Sequence, residues 1–271
     1  MGFIIMKKKC YMCDKEATGK EHVPPKCFFP KSYRQGLITV PSCDDHNMKT
    51  SKDDEYVRNI IVTSYAVDSN RNNYPQEFLL FFDKAIKSLT RKNASLGKRT
   101  FKINKPVRTP NGKVTRGYQL ELSRLNKTIY KIASALHYHK YKLPLNYKVQ
   151  IHMKDLCYGD FSQDVYSVFL QCFEEQFATE LPYEGEQPDV FKFVFGRFKI
   201  SPLWFNVIKL VFYKTVSVWV LPAGVITEEM LSMVREYPME RVETTNFAVL
   251  GKWNIPIIVK KQPEILLPPF Y

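Results

Sequence analysis

Long apolar runs are missing from this chain. No uninterrupted stretch reaches the roughly 18 residues a membrane helix needs, which excludes an integral membrane protein. The apolar opening, Met1–Met6, is too short for the core of a signal peptide. Cysteine is sparse as well: six residues in 271 are too few for a disulfide scaffold. A reducing, cytoplasmic compartment is therefore the expectation. There is no phosphate-binding glycine loop, no dinucleotide fingerprint and no prominent Ser-His-Asp ordering. Internal repeats and low-complexity segments are absent too. The composition is 45% hydrophobic and 25% charged, an ordinary globular mixture that excludes a disordered, collagen-like or disulfide-miniprotein chain.

Acid is the scarcest commodity in one region. The net charge is +13, yet residues 84–154 alone carry 18 basic residues and one acid, Glu121. Residues 1–83 are close to neutral and residues 155–271 are net acidic. Between Lys84 and Arg116 there are 11 Lys/Arg and no acid. The cations include Lys84, Lys87, Arg91, Lys92, Lys98, Arg99, Lys102, Lys105 and Arg108. Such a stretch suits a polyanion, because neutralised phosphates release condensed counterions. The plainer alternative is a solvated basic loop. Membrane contact is not expected, since Gly97, Pro106, Pro110 and Gly112 interrupt any lipid-facing stripe.

Periodicity predicts helices at Asp53–Val67, Gln76–Leu89, Glu121–Tyr141, Gln163–Phe177 and Thr227–Arg235. Of these, Glu121–Tyr141 is the strongest, with Leu122, Leu125, Ile129, Ile132, Ala133 and Leu136 on its apolar side. Phe101–Asn104 reads as a strand, and Pro110-Asn111-Gly112 as a hairpin turn. Tyr147–Met153 alternates like a strand. Val190–Phe198, Phe205–Tyr213 and Val216–Leu221 suggest an antiparallel meander. The i, i+2 spacing of His137 and His139 on a helix is poor for a shared metal. Cys157 and Cys172 lack partner motifs and read as core thiols, and the many Tyr and Phe read mainly as core.

Cys10-x2-Cys13 and Cys43-x2-His46 are the sharpest features. Zinc takes four thiolate or imidazole ligands in a tetrahedron, and two such knuckles supply them. A module this small cannot bury much core, so a metal would provide much of its folding free energy. Cys27, between the knuckles, is either a substitute ligand or a buried structural thiol.

Glu21-His22-Val23-Pro24-Pro25 follows the first knuckle, and Asn47 directly follows the second. With these residues, positions 8–58 resemble the zinc-stapled members of the HNH endonuclease family, a ββα-metal fold of treble-clef type. The resemblance implies that Cys10, Cys13, Cys43 and His46 hold structural zinc. It implies His22 as the general base, and Glu21 and Asn47 as ligands of a catalytic Mg²⁺ or Mn²⁺. Gly36 stands where the family usually has a central Asn, before Leu37-Ile38-Thr39-Val40, so either Gln35 or Thr39 would take over its orienting role or the His22 carbonyl would be held differently. Taken singly, Glu21 also reads as a surface acid, His22 as a structural or zinc-adjacent histidine, and Asn47 as a helix cap. Lys49, Asp53, Asp54 and Glu55 read mostly as solvated helix-start residues; the alternative is that one of them supports the metal site from behind its ligands.

The expected chain is α+β: an HNH-like module at 1–58, a helical and basic connection at 59–120, and an α+β C-terminal domain with an antiparallel sheet at 121–271. The expected activity is metal-dependent cleavage of DNA, less readily RNA; by family analogy it would serve restriction or phage defence. The alternative is a catalytically inactive, zinc-stapled nucleic-acid-binding or regulatory subunit. A homodimer contact or a partner protein would use the C-terminal domain.

Overall fold

The computed structural model describes residues 8–90, 106–108, 114–116, 120–153, 182–200 and 203–223. The architecture is mixed α+β with one antiparallel five-stranded sheet, as expected.

The amino-terminal region is built from turns and one hairpin. Lys9 bridges Glu16, and the Cys10 N–H donates to the Lys15 carbonyl at 2.9 Å, so the first knuckle closes a tight loop. Strand β1 (Gly19–His22) pairs antiparallel with β2 (Thr39–Ser42). In that register Glu21 faces Val40 and His22 faces Thr39. Single 3₁₀ turns at Asp44–His46 and Met48–Thr50 lead into α1 (Ser51–Val62).

The helix predicted at Asp53–Val67 begins two residues earlier and breaks at Thr63. The Thr63 hydroxyl bonds back to the carbonyls of Asn59 and Ile60, which ends the helix. The chain resumes as the short α2 (Tyr65–Asp68), capped by the Ser64 hydroxyl accepting from the Val67 N–H. Pro75 then precedes α3 (Gln76–Thr90), which buries Phe78, Phe82 and Ala85 and exposes Lys84 and Lys87.

In the basic region, β3 (Pro106–Arg108) pairs antiparallel with β4 (Val114–Arg116), while the predicted turn Pro110-Asn111-Gly112 lies outside the described residues. The predicted strand Phe101–Asn104 lies outside the described residues. So do the predicted helices at 163–177 and 227–235, with Cys157 and Cys172.

Helix α4 (Leu122–Tyr141) packs against α1 and β2 on one side and the strand β5 (Val149–His152) on another. Its predicted apolar stripe is buried from Leu125 to Leu136 and partly so at Leu122, but Asn126, Thr128, Lys131, Ser134 and His137 are buried too. A helix with neighbours on several sides must bury polar positions too, and each then requires a partner.

The sheet comprises β5 (Val149–His152), β6 (Glu184–Gln187), β7 (Phe191–Ile200), β8 (Leu203–Phe212) and β9 (Val216–Pro222), in the order β5-β9-β8-β7-β6. The predicted meander is its centre. Alternation puts Phe191, Phe193, Ile208, Leu210, Phe212, Val218 and Val220 on the face that joins the main core.

That core runs without a break from Cys10 to Val220. The Phe28 ring lies 5.6 Å from that of Phe212, and the buried Tyr213 hydroxyl donates to the Phe28 carbonyl at 2.7 Å. Tyr74 in turn donates to the Tyr213 carbonyl. Each fully buried aromatic ring contributes about 1.5–3 kcal/mol relative to exposure. The amino-terminal hairpin is thus seated on the sheet through Phe28.

Candidate metal centre and its surroundings

The two knuckles converge. The ligand atoms of Cys10, Cys13, Cys43 and His46 all lie within 4.8 Å of one another. His46 Nδ1 is 3.4 Å from Cys10 Sγ, 3.5 Å from Cys13 Sγ and 3.3 Å from Cys43 Sγ. Cys13 and Cys43 Sγ are 3.8 Å apart. For metal–sulfur bonds of about 2.3 Å and a metal–nitrogen bond of about 2.0 Å, tetrahedral edges are about 3.8 Å (S–S) and about 3.5 Å (S–N). Four of the six donor–donor distances thus match the edges of a zinc-sized tetrahedron, and all four donors come from the protein. This set fits a structural metal ion.

Local chemistry points the same way. The Met12 N–H lies 3.5 Å from Cys10 Sγ. Burial raises the Cys10 thiol, but N–H donors from Met12 and Cys43 outweigh it and leave the thiol more acidic than usual. Burial, with the Cys10 charge nearby, pushes Cys13 up to about 11. Adjacent thiols resist shared ionisation until a cation binds between them. Cys27 is not in this group. Burial raises it to about 12, and it is a half-buried thiol packed against the core rather than a substitute ligand.

The two residues expected to share a catalytic ion have different engagements. Glu21 is 4% exposed, not a surface acid. Its Oε1 lies 3.3 Å from Lys131 Nζ, which also sits 2.7 Å from the Asp54 carboxylate and donates to Thr50 Oγ1 at 2.8 Å. Burial, opposed by Lys131 and reinforced by Asp54, lifts Glu21 to about 7. Asp54 is raised by burial in the same way. Asn47 instead donates its amide to the Lys20 carbonyl at 3.2 Å. Nor does its side chain cap α1: the residue before that helix is Thr50, and no side chain bonds there. Of the acids after the second knuckle, Asp53 pairs with Arg124 at 2.5 Å, and Asp54 joins Glu21 around Lys131.

His22 alternates with Glu21 and is half-buried on β1. Burial, then the charge of Lys26, lowers its affinity for a proton below the usual histidine range. Its imidazole is therefore neutral at pH 7. Lys20 and Lys26, on either side of it in the chain, are exposed. Thr39 is directly opposite His22 in the hairpin. Gly36 adopts φ +70°, which favours glycine. It sits in the loop against β6, where Gln187 donates to the Gln35 carbonyl at 3.1 Å. Of the two residues expected to stand in for a central Asn, Thr39 lies opposite His22 in the hairpin and Gln35 bonds β6 through its backbone.

Among the nine cations expected to bind nucleic acid, Lys84 and Lys87 are exposed on α3 and Arg108 lies on β3. Arg91, Lys92, Lys98, Arg99, Lys102 and Lys105 lie outside the described residues. Two other basic residues of the same region are structural. Arg124 stacks 4.2 Å from the Tyr56 ring and bonds Asp53 and the Lys52 carbonyl, and Lys131 is buried. His137 is buried with Nδ1 3.0 Å from the Leu143 carbonyl, while His139 is exposed, so the pair shares no ligand position.

Sequence patterns missed Lys131 and Thr50. One signal was present: Asp54 falls at helical spacing with the buried Val57 and Ile61, which places an acid on the inner face of α1. No helix among the described residues is long and apolar enough to cross a membrane. Comparison with known protein families, curated proteins and solved structures finds no match to this chain.

Proposed function

We propose that residues 8–58 form a zinc-stapled, HNH-type ββα module, and that the protein hydrolyses phosphodiester bonds in nucleic acid, DNA ahead of RNA. The observation that carries this reading is a half-buried His22, its proton affinity lowered by burial, between exposed Lys20 and Lys26, on the first strand of a hairpin closed by a Cys3His donor set. Neutral His22 accepts a proton from water while the water oxygen attacks phosphorus and the ester oxygen leaves. The exposed lysines, with Lys84, Lys87 and Arg108, hold the backbone phosphates. A bound Mg²⁺ or Mn²⁺ would supply charge stabilisation to the leaving oxygen. Asn47, at the module surface, is the side chain left to help hold it.

A second reading, a nucleic-acid-binding module without catalysis, is favoured by the engagement of Glu21 with Lys131. One experiment separates the two. Supercoiled plasmid is incubated with wild type and His22→Ala in Mg²⁺ or Mn²⁺, with zinc content measured in both. Cleavage by wild type and its loss in the zinc-replete variant are expected. Equal cleavage by both removes His22 as the base. Salt-sensitive binding without cleavage by either establishes the second reading.

A further inference from the structure

Lys131 comes from the middle of α4, yet it reaches the underside of the amino-terminal module. An ammonium has three N–H donors, and here each has an acceptor from a different place: Glu21 on β1, Asp54 on α1, and Thr50 at the entry to α1. The Thr50 hydroxyl accepts from Lys131 and donates to the Asn47 carbonyl at 2.8 Å. One cation therefore ties down the residue before His22 and the turn that carries Asn47. It is 4% exposed, so water cannot take its place.

We propose that Lys131 is the resident cation of this module: its ammonium occupies the place beside Glu21 and Asp54 that a divalent ion would need, and positions the His22 strand and the Asn47 turn by hydrogen bonds instead of coordination. As a statement about a nuclease, this rests on the function proposed above. As a statement about what Glu21 binds, it stands apart from that function. A divalent ion that took both carboxylates would have to expel the ammonium, because like charges at contact distance in a buried site repel strongly. Glu21 Oε2 is buried and has no hydrogen-bond partner, and Asp54 Oδ1 has none either but lies 2.7 Å from the ammonium, so Glu21 Oε2 is the opening left away from it. An ion there would sit beside the ammonium. Lys131 is a positioning residue and does not touch substrate.

The first test uses the unmodified, zinc-loaded chain. Amine acetylation is mapped lysine by lysine by mass spectrometry, with and without millimolar Mg²⁺. Lys131 is expected to stay unlabelled in both samples while Lys20 and Lys26 label. Labelling of Lys131 to the level of Lys20 on adding Mg²⁺ overturns the proposal. The second test is calorimetric titration of Mn²⁺ into wild type and Glu21→Gln at equal zinc content. Equal affinity, or no binding by either, is expected. A loss of about tenfold or more in the variant, the scale expected on disturbing a metal site, overturns the proposal. The third uses Lys131→Met. If it retains zinc, it gains a Mn²⁺ site that adding Glu21→Gln abolishes; a folded variant without that gain counts against the proposal. Should Lys131→Met fail to fold, the acetylation map and the Glu21→Gln titration decide. None of these readouts involves cleavage, so failure of the nuclease reading leaves them intact.

Discussion

Two buried charge centres lie close together in the amino-terminal module, and they solve the same problem differently. In the Cys10/Cys13/Cys43/His46 group, ionised thiolates need a cation from outside. In the Glu21/Asp54/Lys131 group, the chain brings its own. The difference shows in sequence separation. The metal donors span 36 residues and come in two tight turns. Lys131 and Asp54 are 77 residues apart, on two helices that meet only in the folded protein. An external cation demands several donors at fixed local spacing, which leaves a motif. An internal cation demands only that two elements pack, which leaves none.

Removing the external cation has the largest expected effect. Cys43→Ser should lower zinc content to near zero and unfold residues 8–58, because structural zinc in small units is worth about 10–16 kcal/mol at neutral pH. Elemental analysis with hydrogen exchange checks this; a variant that keeps protected amides without metal breaks the comparison. Removing the internal cation comes next. Lys131→Met should destabilise by about 3–5 kcal/mol, since two buried carboxylates lose their partner. Adding Glu21→Gln and Asp54→Asn should restore much of that loss in denaturant unfolding, as coupled sites require.

The internal centre should also respond to pH in the opposite sense from the metal centre. Glu21 is held at about 7 against an ordinary value of 4.5, so between these values the folded state keeps a proton that the unfolded chain has lost. Its contribution to stability is therefore full at the acid end of that window and declines as pH rises. Thiolate–metal binding instead strengthens as pH rises. Comparing wild type with Glu21→Gln cancels the metal contribution. From about pH 5 to about pH 7, the variant should gain stability relative to wild type. A constant difference would show that Glu21 does not titrate there. The smallest effect belongs to the exposed Lys15–Asp45 pair beside the metal knuckles, 2.5 Å apart. Lys15→Ala should leave the thermal unfolding midpoint almost unchanged, and closer still to wild type at high salt.

Much of the secondary structure was legible. Pro75 and the Phe78/Phe82 spacing marked α3; the meander strands showed through their breaks at Ser201-Pro202 and near Lys214. The break at Thr63 was not, because a single hydroxyl turning back on Asn59 decided it. The inward turn of Glu21 was also hidden. A strand of four residues alternates, but nothing local says which face meets α4.

By itself the sequence determined the metal donors, because two knuckles of fixed spacing can close only in a few ways around one ion. It also determined the concentration of positive charge, which is a matter of composition. The tertiary structure decided what each remaining charge faces. It seated the hairpin on the sheet through Phe28 and Tyr213, carried Lys131 under Glu21, and committed Arg124 to Asp53 and the ring of Tyr56. Burial made those pairings obligatory, since a charge removed from water must find a partner, and packing alone chooses which one.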